Sequence, residues 1–421
     1  MDKLEIIGGR KLKGKVKISG SKNAVLPIMA ASLLTDDLCI IENVPRLSDV
    51  FTMARLLESL GKKVDFGQNI LSITSRKSKS FAAPYRLVRT MRASFCVLGP
   101  LLAKRKKAKV SLPGGCVIGL RPVDLHLKGM ESLGASIKIS GGYCYAKAEP
   151  CLTGRHIFLG GRFGSSVLAT ANTLMAAVMA RGETVIDFSA SEPEVEDLTS
   201  VLKKMGADIK GGGTPQIIVK GRKSLGGFRH SVIPDRIEAG TFMAFAIVSK
   251  GFVTIENVIP KHLGAVIDVV KSMGQMVEIK GRKIKVKSGR KISSVNITTL
   301  PFPGFPTDLQ AQFMVLLSLS SGISTVTEKV YPDRFMHIPE LNRMGAKIFR
   351  SGPVAIIEGI KRLSSAEVMA SDLRASACLA AAGLAASGKT TLHRLYHLDR
   401  GYENFTQKLK GLGAEVRRVK E

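Results

Sequence analysis

A thiol in a glycine-rich segment, followed closely by a guanidinium, is the pattern in this sequence most suggestive of chemistry. Pro113, Gly114, Gly115 and Cys116 lead through Val117, Ile118, Gly119 and Leu120 to Arg121, Pro122, Val123, Asp124, Leu125 and His126. The thiolate is cysteine's reactive form, and a neighbouring cation lowers its pKa. A mobile loop holding Cys116 beside Arg121 could therefore bring a nucleophile or proton donor to an anionic substrate. The competing reading, a small buried residue, suits Cys96 and Cys378 on their apolar runs better than Cys116.

Cations also stand where apolar segments begin. Lys22 precedes NAVLPIMAA, Arg92 lies in TMRASFC and Arg374 in SDLRASACLAAAG, while Arg400 in LDRGYEN reads as opening an exposed helix. A guanidinium at the start of a buried helix needs an anion or a carboxylate beside it. Asp308 in FPTDLQAQF and Asp235 in IPDRIEAG hold the matching helix starts elsewhere, where capping and chemistry are both open. Charge gathered at equivalent helix ends describes a pocket for a polyanionic ligand.

Two other patterns are weaker than they look. Gly383 to Thr390 satisfies the letters of a phosphate-binding loop, two glycines followed by Lys389 and Thr390. That loop works where a strand enters and a helix leaves. Here an apolar helical run enters and the strand-like TTLHRLYHL leaves, so nucleotide binding is not expected. His393 and His397 would share a metal only on a helix, and this segment reads as a strand. Cys39, Cys96, Cys116, Cys144, Cys151 and Cys378 form no close pair, so free thiols in a reducing compartment and no metal are expected.

The elements that must position these residues repeat six times. LESLGKKV, MESLGASI, LKKMGADI, VKSMGQMV, LNRMGAKI and LKGLGAEV share a glycine, at Gly61, Gly134, Gly206, Gly274, Gly345 and Gly413, spaced by 73, 72, 68, 71 and 68 residues. Each hit reads as an amphipathic helix closed by a left-handed glycine and running into a strand. Upstream of most lies a run rich in small residues and apolar on nearly all faces, such as VLATANTLMAAVMA or GTFMAFAIVS, which reads as a helix buried on every side. The expected unit is strand, buried helix, strand, exposed helix, strand pair. Six of them, helices inside and sheet outside, would form two pseudo-symmetric halves with the active site in the cleft between them.

Composition narrows the function classes. The chain has 421 residues, 45% hydrophobic and 23% charged, which suits a folded protein of two or three domains. Lys and Arg number 63 against 34 Asp and Glu, a net charge of +29 that could serve nucleic acid, a membrane surface or anionic small molecules, or reflect a basic proteome. Only 5% of residues are aromatic, and recognition-helix and zinc-finger patterns are absent, so no specific nucleic acid is expected. The cluster from Lys104 to Lys109 reads as a solvated turn. The opening MDKLEIIGGRKLKGK lacks a signal-peptide core and no apolar run approaches a membrane span, so a cytoplasmic location is expected.

On SGSKNAVLP, LPGGC with RPVDLH, PDRIEAGTF, FPTDLQAQF, RFMHIPELNRMGA, SDLRASA and HLDRGYE, the chain resembles the enolpyruvyl transferase family along essentially its whole length, and within it the UDP-N-acetylglucosamine 1-carboxyvinyltransferases. The resemblance implies an α/β fold, a two-domain inside-out α/β barrel of six βαβαββ units, with halves at 22–231 and at 1–21 plus 232–421. It implies transfer of the enolpyruvyl group of phosphoenolpyruvate to UDP-N-acetylglucosamine, with no metal or organic cofactor. By the same resemblance Lys22, Arg121 and Arg400 hold the phosphate and carboxylate of phosphoenolpyruvate, and Arg92 and Arg374 support that anionic site. Cys116 serves C3 of phosphoenolpyruvate and is the site fosfomycin alkylates, Asp308 lies by the sugar 3-hydroxyl, and Asp372 is a further proton-transfer or structural carboxylate. Asn23 and Val330 contact the acetamido sugar, Arg121, Pro122, Val123, Asp124 and Leu125 line the uridine side, and Arg334 is a conformational or substrate-contact arginine. Two departures stand out: the diphosphate loop lacks its usual lysine and glycine around Gly164 to Leu168, with Arg162 nearby, and Phe95 and Cys96 replace a larger aromatic. The sister branch acting on shikimate 3-phosphate lacks the cysteine loop, and a non-catalytic basic binding protein on this fold would need none of these charges.

Overall fold

The structure is a computed structural model and describes residues 2–76, 80–113 and 123–420. Its strands form six four-stranded sheets. In each, a strand that precedes a buried helix runs parallel to a strand that follows one, and that second strand pairs antiparallel with a third, which in five of the six arrives from beyond the exposed helix. The parallel partner is local in four repeats: Ala82–Ala83 with Lys107–Ser111, His156–Phe158 with Glu183–Asp187, Ile297–Thr299 with Ile323–Glu328, and Glu367–Met369 with Lys389–His393. In the other two the partners are exchanged. Lys13–Lys17, ahead of the helix Lys22–Ala31, pairs with Phe252–Glu256, and Phe228–Ser231, ahead of the helix Arg236–Val248, pairs with Cys39–Glu42. Asp2–Ile7 lies between Lys389–His393 and Glu415–Lys420 and supplies the third strand of the last repeat.

These contacts group the chain into two units, residues 2–19 with 234–420, and residues 20–113 with 123–233. Each has its own apolar core. In the first, the helices Arg236–Val248, Gln310–Ser318 and Leu373–Ala385 pack on one another. Their surfaces are buried on every side, as a helix with no polar face requires, and Ala, Ser and Gly let the backbones approach closely. In the second, Lys22–Ala31 and Leu98–Arg105 both pack on Val167–Ala177. Both units therefore place helices inside and sheets toward solvent.

The six repeat glycines close the outer helices as expected, with φ of +90°, +89°, +100°, +77°, +90° and +85°. The hydrogen bonds of a Schellman turn follow: Gly134 N–H donates to the Glu131 carbonyl at 2.8 Å and Ala135 N–H to the Met130 carbonyl at 3.0 Å. Such a turn ends the helix and re-aims the chain into the next strand without a linker.

The phosphate-loop lookalike is a helix-to-strand turn. Leu373–Ala385 enters, Gly388 (φ +94°) turns, Lys389–His393 leaves, and the Gly388 carbonyl accepts from Gly8 N–H at 3.0 Å. His393 ends that strand, whereas His397 lies in the 3-10 helix Leu395–Arg400, so the two histidines do not share one strand as the repeat suggested. Among the described residues no group of three or more His, Cys, Asp or Glu could hold a metal ion, and no helix is long and apolar enough to cross a membrane. The basic cluster is not the plain solvated turn expected of it. Lys104 and Arg105 end a helix, Lys106 takes the left-handed conformation (φ +59°), and Lys107 and Lys109 belong to a strand. Arg105 reaches inward and donates to the Leu60 carbonyl at 2.7 Å.

Candidate active site

The unit containing residues 234–420 carries a partly buried carboxylate held by two guanidiniums. Pro306 starts the 3-10 turn Thr307–Leu309, which places Asp308 just ahead of the helix Gln310–Ser318. Its side chain caps no helix. Arg374 Nη2 donates to Asp308 Oδ2 at 2.7 Å, and Arg334 Nη1 lies 2.7 Å from Oδ1. Both arginines are almost fully buried. Burial alone would raise the Asp308 carboxyl, but Arg374 and Arg334 outweigh it and hold it well below the usual carboxylate range. Asp308 is thus an anion at neutral pH, suited to accept a hydrogen bond from a hydroxyl and orient it. A group with so little proton affinity is a weak general base.

Asp235 and Asp372 are helix caps instead. Asp235 accepts from Ile237 N–H at 2.8 Å and Glu238 N–H at 3.0 Å, and Asp372 accepts from Arg374 N–H at 2.8 Å and Ala375 N–H at 3.2 Å. Of the two aspartates for which capping and chemistry were open, Asp235 caps and Asp308 pairs with cations. Burial pushes the Asp372 carboxyl up, yet Arg334 and those two backbone donors leave it below its ordinary value. Cap and charge therefore coincide at Asp372, which fixes the start of the helix that carries Arg374.

Several residues of this network escaped the sequence reading. Glu328, fully buried, accepts from Thr299 Oγ1 at 2.6 Å, Thr307 Oγ1 at 2.9 Å, and the backbone N–H groups of Val330 and Tyr331 at 2.9 Å each. It ties the turn bearing Asp308 to the segment bearing Val330. Tyr402 Oη lies 2.9 Å from Thr241 Oγ1, accepts from Gln312 Nε2 at 3.3 Å, and meets Arg374 Nη1 at 3.5 Å. A polar residue facing inward on an otherwise apolar helix, as Gln312 and Thr241 are, was the available signal. Arg334 Nε is buried and has no protein partner among the described residues.

Arg400 differs from its expected setting. It closes the 3-10 helix Leu395–Arg400 and does not open the exposed helix, which is Phe405–Gly411. The next residue, Gly401, passes close to the start of the helix Leu373–Ala385, since a Cβ there would stand 2.5 Å from Leu373 Cδ2 and displace the leucine. Arg400 is thereby held against the start of the Arg374 helix. The His397 imidazole registers this, since burial first, and then Arg400, lower its pKa.

In the other unit Ser21 caps the helix Lys22–Ala31 by accepting from Ala24 N–H, and Lys22 Nζ lies 3.6 Å from Asp49 Oδ2. Asn23 follows on the first turn. The 3-10 helix Arg92–Val97 packs against this helix. Arg92 is near His126, whose pKa is driven down to about 3 by burial first and by Arg92 second. Val123 occupies the cap position of the helix Asp124–Ser132, with Asp124 in its first turn, where a carboxylate meets the positive end of the helix dipole. Leu125 packs on Gly161, where a Cβ would lie 3.0 Å from Leu125 Cδ1. In the segment that departs from the family pattern, Ser166 caps Val167–Ala177 by accepting from Ala169 N–H at 3.3 Å, and the Arg162 guanidinium lies 5.4 Å from the Phe163 ring centre. Cys116, Arg121 and Pro122 lie outside the described residues. The structure thus brings together Asp308, Arg334, Asp372 and Arg374, with Val330 tied in through Glu328, and places Lys22, Asn23, Arg92, Val123, Asp124 and Leu125 in the other unit.

Known proteins resemble this chain along its whole length. The family described as EPSP synthase (3-phosphoshikimate 1-carboxyvinyltransferase) matches residues 6–409. A UDP-N-acetylglucosamine 1-carboxyvinyltransferase from Desulfosudis oleivorans is 51% identical over all of both chains. UDP-N-acetylglucosamine 1-carboxyvinyltransferase 2 from Carboxydothermus hydrogenoformans is 50% identical, again over the whole of each. Among solved structures, the enolpyruvyl transferase NikO from Streptomyces tendae superposes with a TM-score of 0.90 at 25% identity, covering 99% of each chain. EPSP synthase from Acinetobacter baumannii, at 20% identity and a TM-score of 0.75 over 100% of each chain, shares the fold. A two-domain fold of six βαβαββ repeats, a carboxylate clasped by two guanidiniums, and relatives half identical over their full length lead to one conclusion: this chain belongs to the enolpyruvyl transferase family, among the UDP-N-acetylglucosamine 1-carboxyvinyltransferases.

Proposed function

We propose that this protein transfers the enolpyruvyl group of phosphoenolpyruvate to the 3-hydroxyl of UDP-N-acetylglucosamine and releases inorganic phosphate, the first committed step of peptidoglycan synthesis. The observation that carries the reading is the clasp of Asp308 between Arg334 and Arg374. Burying two guanidiniums around one carboxylate is expensive in solvation, and a scaffold that had lost its chemistry would be as stable with apolar residues there. The clasp supports a role for Asp308 in accepting the hydrogen bond of the sugar 3-hydroxyl and aiming its oxygen at C2 of phosphoenolpyruvate.

In this reading the Cys116 thiol delivers a proton to C3 while the sugar oxygen bonds to C2. The tetrahedral adduct then loses phosphate by cleavage of the C2–O bond to the phosphorus-bound oxygen, while one proton leaves C3 and returns to the Cys116 thiolate, which restores the double bond and the thiol. The hydroxyl proton leaves in the end with the phosphate. Lys22, Arg121 and Arg400 hold the phosphate and carboxylate of phosphoenolpyruvate, and Arg92 adds positive charge. Preorganised cations of this kind stabilise charge that develops in the transition state without reorganising. Arg374 serves the same site indirectly, by holding Asp308. Asn23 and Val330 contact the acetamido sugar, and Arg121 to Leu125 line the uridine. Protonation, addition and elimination require no metal or organic cofactor. Fosfomycin is expected to alkylate Cys116, and the soluble anionic substrates suit a cytoplasmic enzyme.

Phosphate release from phosphoenolpyruvate tests this directly. It should occur with UDP-N-acetylglucosamine and be absent with shikimate 3-phosphate. The opposite preference would reassign the chain to the sister activity, and release with neither would point to a binding protein.

A further inference from the structure

The solvent face of one sheet assembles lysines and tyrosines that are scattered in the sequence. Lys107–Ser111, Tyr143–Lys147 and Ser136–Ser140 are adjacent antiparallel strands. Alternation along each strand turns Lys107 and Lys109, Tyr143, Tyr145 and Lys147, and Ser136, Lys138 and Ser140 outward, while Ala108, Val110, Cys144 and Ala146 point into the core. In register, Tyr145 stands directly between Lys109 and Lys138, and Lys147 lies between Lys107 and Ser136. This face carries four lysines and no carboxylate. Among the described residues none of the four forms an ion pair. The Lys109 ammonium lies 4.7 Å from the Tyr143 ring centre and 5.2 Å from that of Tyr145, and Lys107 lies 4.4 Å from the Phe81 ring centre. Ser136, Lys138, Ser140, Tyr145 and Lys147 border a groove of about 400 Å³.

We propose that this face binds single-stranded nucleic acid without sequence preference, with bases stacking on Tyr145 and Tyr143 and phosphates meeting Lys107, Lys109, Lys138 and Lys147. The chemistry of such sites is a basic surface that tracks the backbone together with aromatic rings on which successive bases stack. Both occur here on one sheet. Because Lys109 stands over the two tyrosines, a phosphate drawn to its ammonium brings the attached base against a ring. Tyr145 is 39% exposed and thus open to stacking, whereas Tyr143 Oη is already engaged with Tyr85 N–H at 3.3 Å.

Charge alone does not distinguish this face. The sheet formed by Lys13–Lys17, Phe252–Glu256, Met276–Lys280 and Lys283–Lys287 exposes more lysines. There, however, Lys283 and Lys285 are partnered by Glu256 at 2.8 Å and Glu278 at 3.1 Å, and no tyrosine is present. That sheet is the internal control for unspecific attraction.

The test is fluorescence anisotropy of the full chain with a labelled oligouridylate of about 12 nucleotides at rising salt. Binding should fall with salt. Tyr145→Ala should weaken it roughly tenfold, and Tyr145→Phe, which keeps the ring, should preserve it. Each of Lys109→Ala and Lys138→Ala should lower the slope of log affinity against log salt by about 0.7. Phosphate release from phosphoenolpyruvate should be unchanged in all four variants, which also shows that they are folded. The proposal fails if the wild type does not bind, if Tyr145→Ala binds as tightly as wild type, or if Lys283→Ala weakens binding as much as Lys109→Ala. It also fails if the face binds anionic phospholipid vesicles and oligouridylate does not compete.

Discussion

Arg374 gives one arm of its guanidinium to Asp308, at 2.7 Å, and turns the other toward Tyr402 Oη, at 3.5 Å. An arginine that the family resemblance linked to the anionic substrate is therefore engaged with a carboxylate of its own chain. Removing one partner of a buried pair strands the other, which typically costs about 3 kcal/mol or more. Arg374→Met should destabilise the protein by about that amount and lower kcat at least a hundredfold, because Asp308 loses its orientation. The losses of Arg374→Met and Asp308→Leu should not add in the double variant, because both break the same pair. Urea unfolding measures this, and additive losses would show that the two groups do not form one unit.

The carboxylate of that pair has a depressed pKa. Its stabilising contribution is fully present above the unfolded value near 4 and disappears only as pH falls through the lower folded value. The stability gap between wild type and Asp308→Asn should therefore be level from pH 8 to about pH 5 and narrow only in stronger acid. A gap that already closes between pH 7 and 5 would contradict the clasp.

Two buried histidines act in the milder range. Burial pushes His126 down to about 3, helped by Arg92, and His337 down to about 4, with Asp372 opposing and Arg334 assisting. Each is neutral when folded but binds a proton when unfolded below its ordinary pKa of about 6.5, so stability is complete above that pH and is lost as pH falls toward the folded values. The slope approaches about 1.4 kcal/mol per pH unit for each histidine. His126 Nδ1 lies 3.0 Å from Asn172 Nδ2 and accepts from it, a role the Gln carbonyl can fill. His126→Gln should remove about half of the slope between pH 6 and 4.5, as read by urea midpoints in a pH series.

Thiol reactivity should be confined to few sites. Burial raises Cys39 to about 11, Cys96 to about 12 and Cys144 to about 11, and lifts Cys378 well above its ordinary value. Cys151 is partly exposed. Native protein treated with a chromogenic disulfide at pH 8 should react at Cys116 and Cys151 alone, with the remaining thiols appearing after denaturation. Cys116→Ala should lose turnover, and Cys116→Asp should keep activity and resist fosfomycin. Unchanged turnover in Cys116→Ala would refute its role.

The repeat glycines separate backbone strain from packing. A Cβ at Gly134 would meet nothing within 4 Å, so only its φ of +89° resists a side chain. Gly134→Ala should cost about 1 kcal/mol and Gly134→Asn less, with KM unchanged. Equal losses for both variants would mean that the turn is not what holds the position.

Local rules made the repeats legible. The glycine turn, the amphipathic outer helix and the all-apolar inner helix are written within a dozen residues, so all six units could be counted from the letters. The exchange of Lys13–Lys17 with Phe228–Ser231 could not be counted, because strand pairing across nearly 200 residues or more leaves no local trace. The same holds in the site. Asp235, Asp308 and Arg374 drew attention as charges at helix starts, but which aspartate caps and which pairs with cations depends on how the chain folds around each. Glu328 looked like an ordinary strand-end acid, and only the fold turns it into the residue that fastens Thr307 to Val330. Arg400 reads in the sequence as the start of a helix, and it closes a 3-10 turn there instead, with Gly401 as the cap residue.

The place of Asp2–Ile7 between Lys389–His393 and Glu415–Lys420 bears on how the protein is made. Both of its neighbours leave the ribosome roughly 40 s after it, at about 10 residues per second. Residues 20–233 have completed all three of their sheets well before then. Synthesis therefore leaves Asp2–Ile7 as an unsatisfied hydrogen-bonding ribbon until both of its partners have emerged, and the last sheet of the other unit can close only then.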